Sequence, residues 1–207
     1  MTIDLTQDRA LMKKLYMPGT AAFEAATVPE LLYAAIDGVG GANHAAMGAT
    51  IRSLLQAIQP IRREARKRMG KNFVDAPVEL LYWANDPTQL ADGVRDNWNW
   101  RAMIVLPAWT TQGLFDQAVQ EVGLQLGPLP DSLRMISFAE GPCVQLRHVG
   151  DAERIGPLLN QLYRTVLPER GLEPNGPYHE IYLDDWQRTA PEKRTLILRQ
   201  PVRPMTQ

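Results

Sequence analysis

Apolar and polar positions alternate along this chain in two recurring rhythms, and the rhythms predict its elements. Asp8 to Met17 reads as a short helix stopped by Pro18-Gly19. Leu31 to Ile36 is a compact apolar run closed by Asp37-Gly38, which predicts a strand. Over residues 48–69 the period lengthens. Ile51, Leu54, Leu55, Ile58 and Ile61 fall at i, i+3, i+4, i+7 and i+10, the spacing of one helix face. Pro60 should kink or divide this helix, and Gly70 suits its C-terminal cap. Val78 to Asn85 reads as a strand ended by Asp86-Pro87, and Trp98 to Leu106 as another ended by Pro107. Thr111 to Gly123 carries Leu114, Phe115, Ala118 and Val122 on one helical face, before a Gly127-Pro128-Leu129-Pro130 linker.

The pattern then repeats. Met135 to Gly150 supplies strand residues around Gly141-Pro142. Asp151 is placed to cap a helix over 152–167, with Ile155, Leu158, Leu159, Leu162 and Val166 at helical spacing. Tyr178 to Asp185 and Thr195 to Val202 read as strands. Glu79-Leu80-Leu81-Tyr82 resembles Glu180-Ile181-Tyr182-Leu183, and Met103 to Pro107 resembles Ile197 to Pro201. A duplicated βαββ unit accounts for this economically. The expected fold is a single α+β domain over 1–207 with pseudo-two-fold symmetry. Repeat one spans about 28–107, a connecting helix and linker about 108–134, and repeat two about 135–203. Its antiparallel sheet would carry helices on one face and a ligand cleft on the other.

Strand alternation nominates the cleft residues. Tyr178, Glu180 and Tyr182 share one face, and Ile181 and Leu183 share the other with His179. With the apolar set under the helices, two tyrosines flank a carboxylate in the cleft. In the first repeat the same logic turns Leu80 and Tyr82 to the helices and Glu79, Leu81 and Trp83 to the cleft. Trp98 and Trp100 share a face on the next strand. Rings offer apolar contact area, and a carboxylate orients a ligand or attracts a cation.

Composition narrows the function. Lys plus Arg number 22 against 23 Asp plus Glu, a formal net charge of −1. That disfavours a broad electrostatic hold on nucleic acid or an anionic membrane. The single cysteine, Cys143, excludes an internal disulfide and a cysteine-based zinc site and reads as a small buried hydrophobe. His44, His148 and His179 lack metal-ligand spacing, and His179 reads as structural. The basic run Arg62, Arg63, Arg66, Lys67, Arg68 and Lys71 reads as a solvated helix end. Gly38-Val39-Gly40-Gly41 lacks the rest of a phosphate-binding motif, and Trp109 and Trp186 read as loop or core residues. The N-terminus has no signal-peptide pattern, so the expected location is cytoplasmic.

The segment Tyr178-His179-Glu180-Ile181-Tyr182-Leu183, with Arg188 to Lys193 and Leu198-Arg199-Gln200-Pro201-Val202, resembles the C-terminal signature of stand-alone GyrI-like small-molecule-binding proteins. Val78 to Trp83, Trp98-Asn99-Trp100-Arg101 and Leu15-Tyr16 resemble further stretches of that family in the same order. The resemblance implies a duplicated βαββ fold with a ligand cleft between the halves. In related domains of multidrug-responsive activators a buried glutamate meets cationic planar drugs, and Glu180 stands at that motif position. Some stand-alone members open the cyclopropane ring of DNA-alkylating natural products by hydrolysis, and others are described as gyrase-inhibitor-like. Two departures bear on substrate range. The family's Arg-Gln-Pro after the Trp-x-Trp strand is Val105-Leu106-Pro107 here, and its His-His-Glu is Tyr178-His179-Glu180.

The site expected on these grounds has Glu180 and Tyr182 as catalytic residues. Glu180 orients or deprotonates water, and Tyr182 donates to the substrate carbonyl or to Glu180. Trp83, Trp98, Trp100, Tyr178 and Glu79 would line the cleft, with no metal and no organic cofactor. The competing bland assignments pair Glu180 with Arg199 and Glu79 with an exposed base. The expected ligand is a planar hydrophobic small molecule that is detoxified. The alternatives are a non-catalytic drug-sequestering module and an interaction protein acting on a topoisomerase.

Overall fold

The structure, a computed structural model, describes residues 4–39, 44–70, 73–84, 98–185 and 188–206, with side chains at 39 and 44–46 excepted. The Asp86-Pro87 stop, Gly40, Gly41, Lys71, Asn85, Trp186 and the His44 side chain lie outside it.

Helix α1 (Arg9–Tyr16) begins where the Asp8 carboxylate accepts from the Leu11 N–H. The long apolar helix is divided as Pro60 dictates. α2 (His44–Ala57) stops, and α3 (Gln59–Met69) restarts with the proline in its first turn, where no N–H is needed. Gly70 closes α3 at φ 54° and donates to the Arg66 carbonyl. Arg62, Arg63, Arg66 and Arg68 on α3 pair with Asp75, Glu121, Asp75 and Glu64, so much of the basic run is engaged in ion pairs at the surface. Thr111 caps α4 (Gln112–Leu126) by accepting from Leu114 N–H. The second repeat's helix is broken. A 3₁₀ turn (Ala152–Arg154) leads into α5 (Ile155–Gln161), a π-helical turn (Leu162–Val166) and the short α6 (Leu167–Glu169). Asp151 makes no side-chain capping bond there, contrary to expectation.

The strands are β1 (Glu24–Val39), β2 (Val78–Trp83), β3 (Asn99–Val105), β4 (Arg134–Val149), β5 (Leu172–Pro174), β6 (Tyr178–Tyr182) and β7 (Thr195–Pro204). β1 is far longer than the apolar run at Leu31 to Ile36 suggests, β4 matches the predicted Met135 to Gly150 stretch, and β5 has no sequence signature. Their order is β4-β1-β3-β2-β6-β7-β5, all antiparallel, and β4 also pairs with β7. The extra pairing closes β4, β1, β3, β2, β6 and β7 into a barrel. The topology is the expected α+β duplication. One unit runs β1-β3-β2 and the other β4-β7-β6, joined at two seams, β1–β4 and β2–β6.

Closure gives the sheet an inside and an outside, and the ladder register assigns each residue. Directly opposed residues of an antiparallel pair share a face. His179 opposes both Leu81 and Arg199, and Arg199 opposes Gln145. Glu79 opposes Met103, which opposes Ala35. Side chains on this face meet across strands that are not neighbours. His179 on β6 reaches Glu140 on β4, and Tyr33 on β1 feels the charges of Glu79, Glu140 and Arg199. Convergence from five strands marks the barrel interior. The other face is the exterior, where Tyr163 of the π-helical turn donates to Gln200 of β7. At the barrel's rim, Asp37 on β1 takes Arg101 of β3 and Arg134 of β4, tying three strands in register.

Gly38 shows how tightly the outer layer is packed. A Cβ there would stand 1.9 Å from the Trp100 ring. Gly38→Ala must therefore push the indole aside. The expected cost is about 1–3 kcal/mol in denaturant unfolding, with a shifted tryptophan emission in the folded state. Unchanged emission and stability would show that the ring has room to move.

Candidate functional site

Glu180 lies mid-strand on β6 and is wholly buried on the exterior face. Burying a carboxyl without partners would cost several kcal/mol. Tyr178 and Tyr182, its i−2 and i+2 neighbours, remove that penalty. The Tyr178 hydroxyl donates to Oε1 at 3.0 Å and the Tyr182 hydroxyl to Oε2 at 2.6 Å. Strand periodicity alone places all three on one side, as the sequence predicts.

Across the β2–β6 seam, Leu80 directly opposes Glu180 and Tyr82 directly opposes Tyr178. The Tyr82 and Tyr178 rings stack at 6.2 Å, and the Tyr82 and Tyr182 hydroxyl oxygens are 3.5 Å apart. Trp98 meets the Tyr82 ring edge to face at 5.5 Å, and Trp100 opposes Tyr82 on β3. Repeat two thus contributes the carboxylate and two tyrosines, and repeat one contributes an aromatic wall. Tyr178, Glu180, Tyr182, Trp98 and Trp100 come together as expected.

Glu79 and Trp83 do not join them. Both lie on the interior face, Glu79 opposite Ile181 and Trp83 opposite Asn99, and the Arg101 guanidinium stands 5.8 Å from the Trp83 ring. Leu81 goes with them, while Tyr82, assigned to the helix side from sequence, belongs to the site. A two-fold axis through the β2–β6 seam keeps a residue and its mate on one face, so the offset between repeats must be even. The resemblance of Glu79 to Glu180 has an odd offset. The structural mates one hundred positions apart are Leu80 with Glu180, Tyr82 with Tyr182 and Glu79 with His179. The identical pair Tyr82 and Tyr182 was the signal in the sequence for the right alignment.

The interior holds a second polar cluster that sequence reasoning did not assemble. His179 Nε2 lies 3.0 Å from Glu79 Oε2, and its Nδ1 lies 2.9 Å from Glu140 Oε1. Arg199 reaches Glu140 through Nη1 at 3.0 Å, Gln145 through Nε at 3.0 Å and the Leu15 carbonyl through Nη2 at 2.6 Å. Tyr16 donates to Glu79, and Gln145 donates to the Lys14 carbonyl, so the end of α1 is fastened into the barrel. Both bland assignments change. Arg199 serves Glu140, not Glu180, and the base beside Glu79 is a buried histidine. Among the described residues no group of His, Cys, Asp and Glu is arranged to hold a metal ion. Cys143 is buried as expected, which pushes its thiol pKa up. The Arg68 guanidinium lies 4.1 Å above the half-buried Trp109 ring.

Burial alone would raise the Glu140 pKa, but the charges and hydrogen bonds of His179 and Arg199 outweigh it and hold Glu140 down at about 2. Burial would likewise lower His179, but Glu140 and Glu79 outweigh it and lift the imidazole to about 9. The signs fix a stability window. The Glu140 contribution is present above its ordinary 4.5 and is lost as pH falls toward about 2. The His179 contribution is present below its ordinary 6.5 and is lost as pH rises toward about 9. Thermal melts should therefore show a plateau over about pH 4.5–6.5, falling on either side. Stability that climbs from pH 7 to 9 would contradict this balance.

Comparison with solved structures places the fold. An uncharacterized conserved protein from Listeria innocua is 27% identical with a TM-score of 0.78, over 92% of this chain and 96% of that one. A hydrolase from Listeria innocua is 25% identical with a TM-score of 0.76, over 98% and 100%. The C-terminal domain of EcmrR shares the fold at 12% identity, TM-score 0.54, over 88% and 99%. No curated protein sequence matches the chain. Among the described residues no helix is long and apolar enough to cross a membrane. Residues 22–201 match the GyrI-like small molecule binding domain, and with the barrel, its two seams and the buried glutamate at the second seam, the chain belongs to the GyrI-like small-molecule-binding family.

Proposed function

We propose that this protein is a cytoplasmic hydrolase that detoxifies planar hydrophobic compounds by adding water across an activated cyclopropane, with Glu180 as general base. The observation that carries the reading is a fully buried carboxylate held by two tyrosine hydroxyls and walled by Tyr82, Trp98 and Trp100. The resemblance to a Listeria innocua hydrolase along nearly the whole chain supports it.

The reaction is redox-neutral, and water is its co-substrate. Glu180 accepts a proton from water, whose oxygen bonds to the ring methylene of a spirocyclopropyl cyclohexadienone. The strained C–C bond breaks, and its electron pair passes through the conjugated system to the carbonyl oxygen. Tyr182, whose hydroxyl donates to Glu180 Oε2, holds the carboxylate in line with the water, and the proton taken by Glu180 passes to the phenolate oxygen to give a phenol and a primary alcohol. Aromatic walls hold the flat ring system in line for attack, which contributes by orientation. Because Glu180 is fully buried, a ligand reaches it only when surrounding side chains move.

The family's small-molecule-binding character favours a second reading, sequestration without chemistry. The two separate in one assay. Wild-type protein at one hundredth of the concentration of a spirocyclopropyl cyclohexadienone should convert all of it to a product heavier by one water. Consumption that stops at one equivalent, or quenched tryptophan emission with intact compound, would establish sequestration. Tyr182→Phe should lower turnover by up to about 100-fold, the scale of a misplaced general base. A Tyr182→Phe protein with full turnover would remove that hydroxyl from the chemistry.

A further inference from the structure

Glu180 points out of the barrel, and the residue before it points in. The interior cluster stands directly behind the site, on the strand that supplies Tyr178, Glu180 and Tyr182. From the structure we infer that His179 is a positioning residue, pinned between Glu79 of repeat one and Glu140 of repeat two so that β6 presents Glu180 squarely to the aromatic wall of β2 and β3. The inference rests on the hydrolase reading above.

Three observations carry it. First, Glu79 and His179 are structural mates across the β2–β6 seam, and their 3.0 Å ion pair is the inward counterpart of the outward Tyr82–Tyr182 approach. One seam therefore carries a pin on one side and the site on the other. Second, β6 is only five residues long, so it has few ladder bonds of its own to resist sliding. Third, His179 also reaches past β7 to Glu140, which Arg199 holds in turn. The charged and titratable groups around the imidazole are thus Glu79 from β2, Glu140 from β4, Arg199 from β7, Tyr16 from α1 and Tyr33 from β1. Two carboxylates balance two cations. Removing the imidazolium charge leaves one carboxylate in excess inside the barrel, and the seam has to shift or hydrate to relieve it. A displacement near 1 Å at a general base costs about a hundredfold in rate at the upper end.

The test uses His179→Gln and the double variant Glu79→Gln/His179→Gln. The double variant leaves Glu140 and Arg199 as a balanced pair, so it folds even where the single variant does not. Turnover of a spirocyclopropyl cyclohexadienone is measured from pH 6 to 10.5, with melting temperature in parallel. The expected result is a double variant whose melting temperature returns toward wild type while kcat stays at least about tenfold down and KM moves less. The wild-type rate falls through about pH 9, and the double variant lacks that limb. A limb due to the cleft tyrosines would persist in both. Wild-type kcat in a folded double variant, or an unchanged limb near pH 9, would overturn the inference. If wild type binds the compound without opening it, the hydrolase reading fails alone. The positioning claim is then read from tryptophan quenching, where the double variant must bind about tenfold more weakly or the claim falls too.

Discussion

Arg199→Leu should be the most damaging single change to stability, lowering it by about 3–5 kcal/mol. The side chain is almost completely buried, yet its guanidinium answers three separate needs. It neutralises Glu140, satisfies Gln145 and ties the Leu15 carbonyl of α1 to the barrel. Leucine would fill much of the volume and meet none of these needs. Glu140 would keep only His179, and two buried acceptors would lose their donor. For a chain of this length the drop corresponds to a fall in melting temperature of roughly 6–20 °C. The comparison that makes the point is Arg203, whose partner Glu173 sits beside it at the surface. Arg203→Leu should cost under about 1 kcal/mol, because exposed pairs gain little over solvation. Adding Glu140→Leu to Arg199→Leu should restore part of the loss, since an apolar pair is tolerated where a half-pair is not. A loss below about 1 kcal/mol for Arg199→Leu would mean that water enters the barrel.

Much of this architecture is legible in the residues. Pro60 and Gly70 mark the break and the end of the helical pair correctly, because a missing N–H and a positive φ act locally. The βαββ duplication follows from order and spacing, and the Tyr178-Glu180-Tyr182 triplet follows from strand periodicity. The errors lie where periodicity loses its meaning. Val78 to Trp83 is buried over most of its length on both sides, so apolar residues occur on both faces and do not say which is outside. Glu79 could then be placed with Glu180 on similarity alone, and a one-residue slip reverses every face. Closure of the sheet depends on β4 meeting β7 across about fifty residues, a contact that local patterns do not encode. The interior cluster is hidden for the same reason. Glu79, Glu140, His179 and Arg199 are scattered in sequence and look like four ordinary charges until the barrel gathers them.

Glu180→Gln is the change with the largest expected effect on activity. The amide keeps the shape of the carboxyl group and can still meet the Tyr178 and Tyr182 hydroxyls, so the fold and the aromatic wall should survive. What it loses is the ability to accept a proton from water, a contribution of about 10²–10⁴-fold to such a step. The most direct measurement is therefore mass spectrometry of a spirocyclopropyl cyclohexadienone incubated with sub-stoichiometric wild type or Glu180→Gln. Tryptophan quenching confirms that each protein binds the compound. Wild type should convert the compound fully to the water adduct, and the variant should do so at a rate at least about a hundredfold lower, with binding retained. Equal rates of adduct formation from the two proteins would contradict this and take Glu180 out of the chemistry.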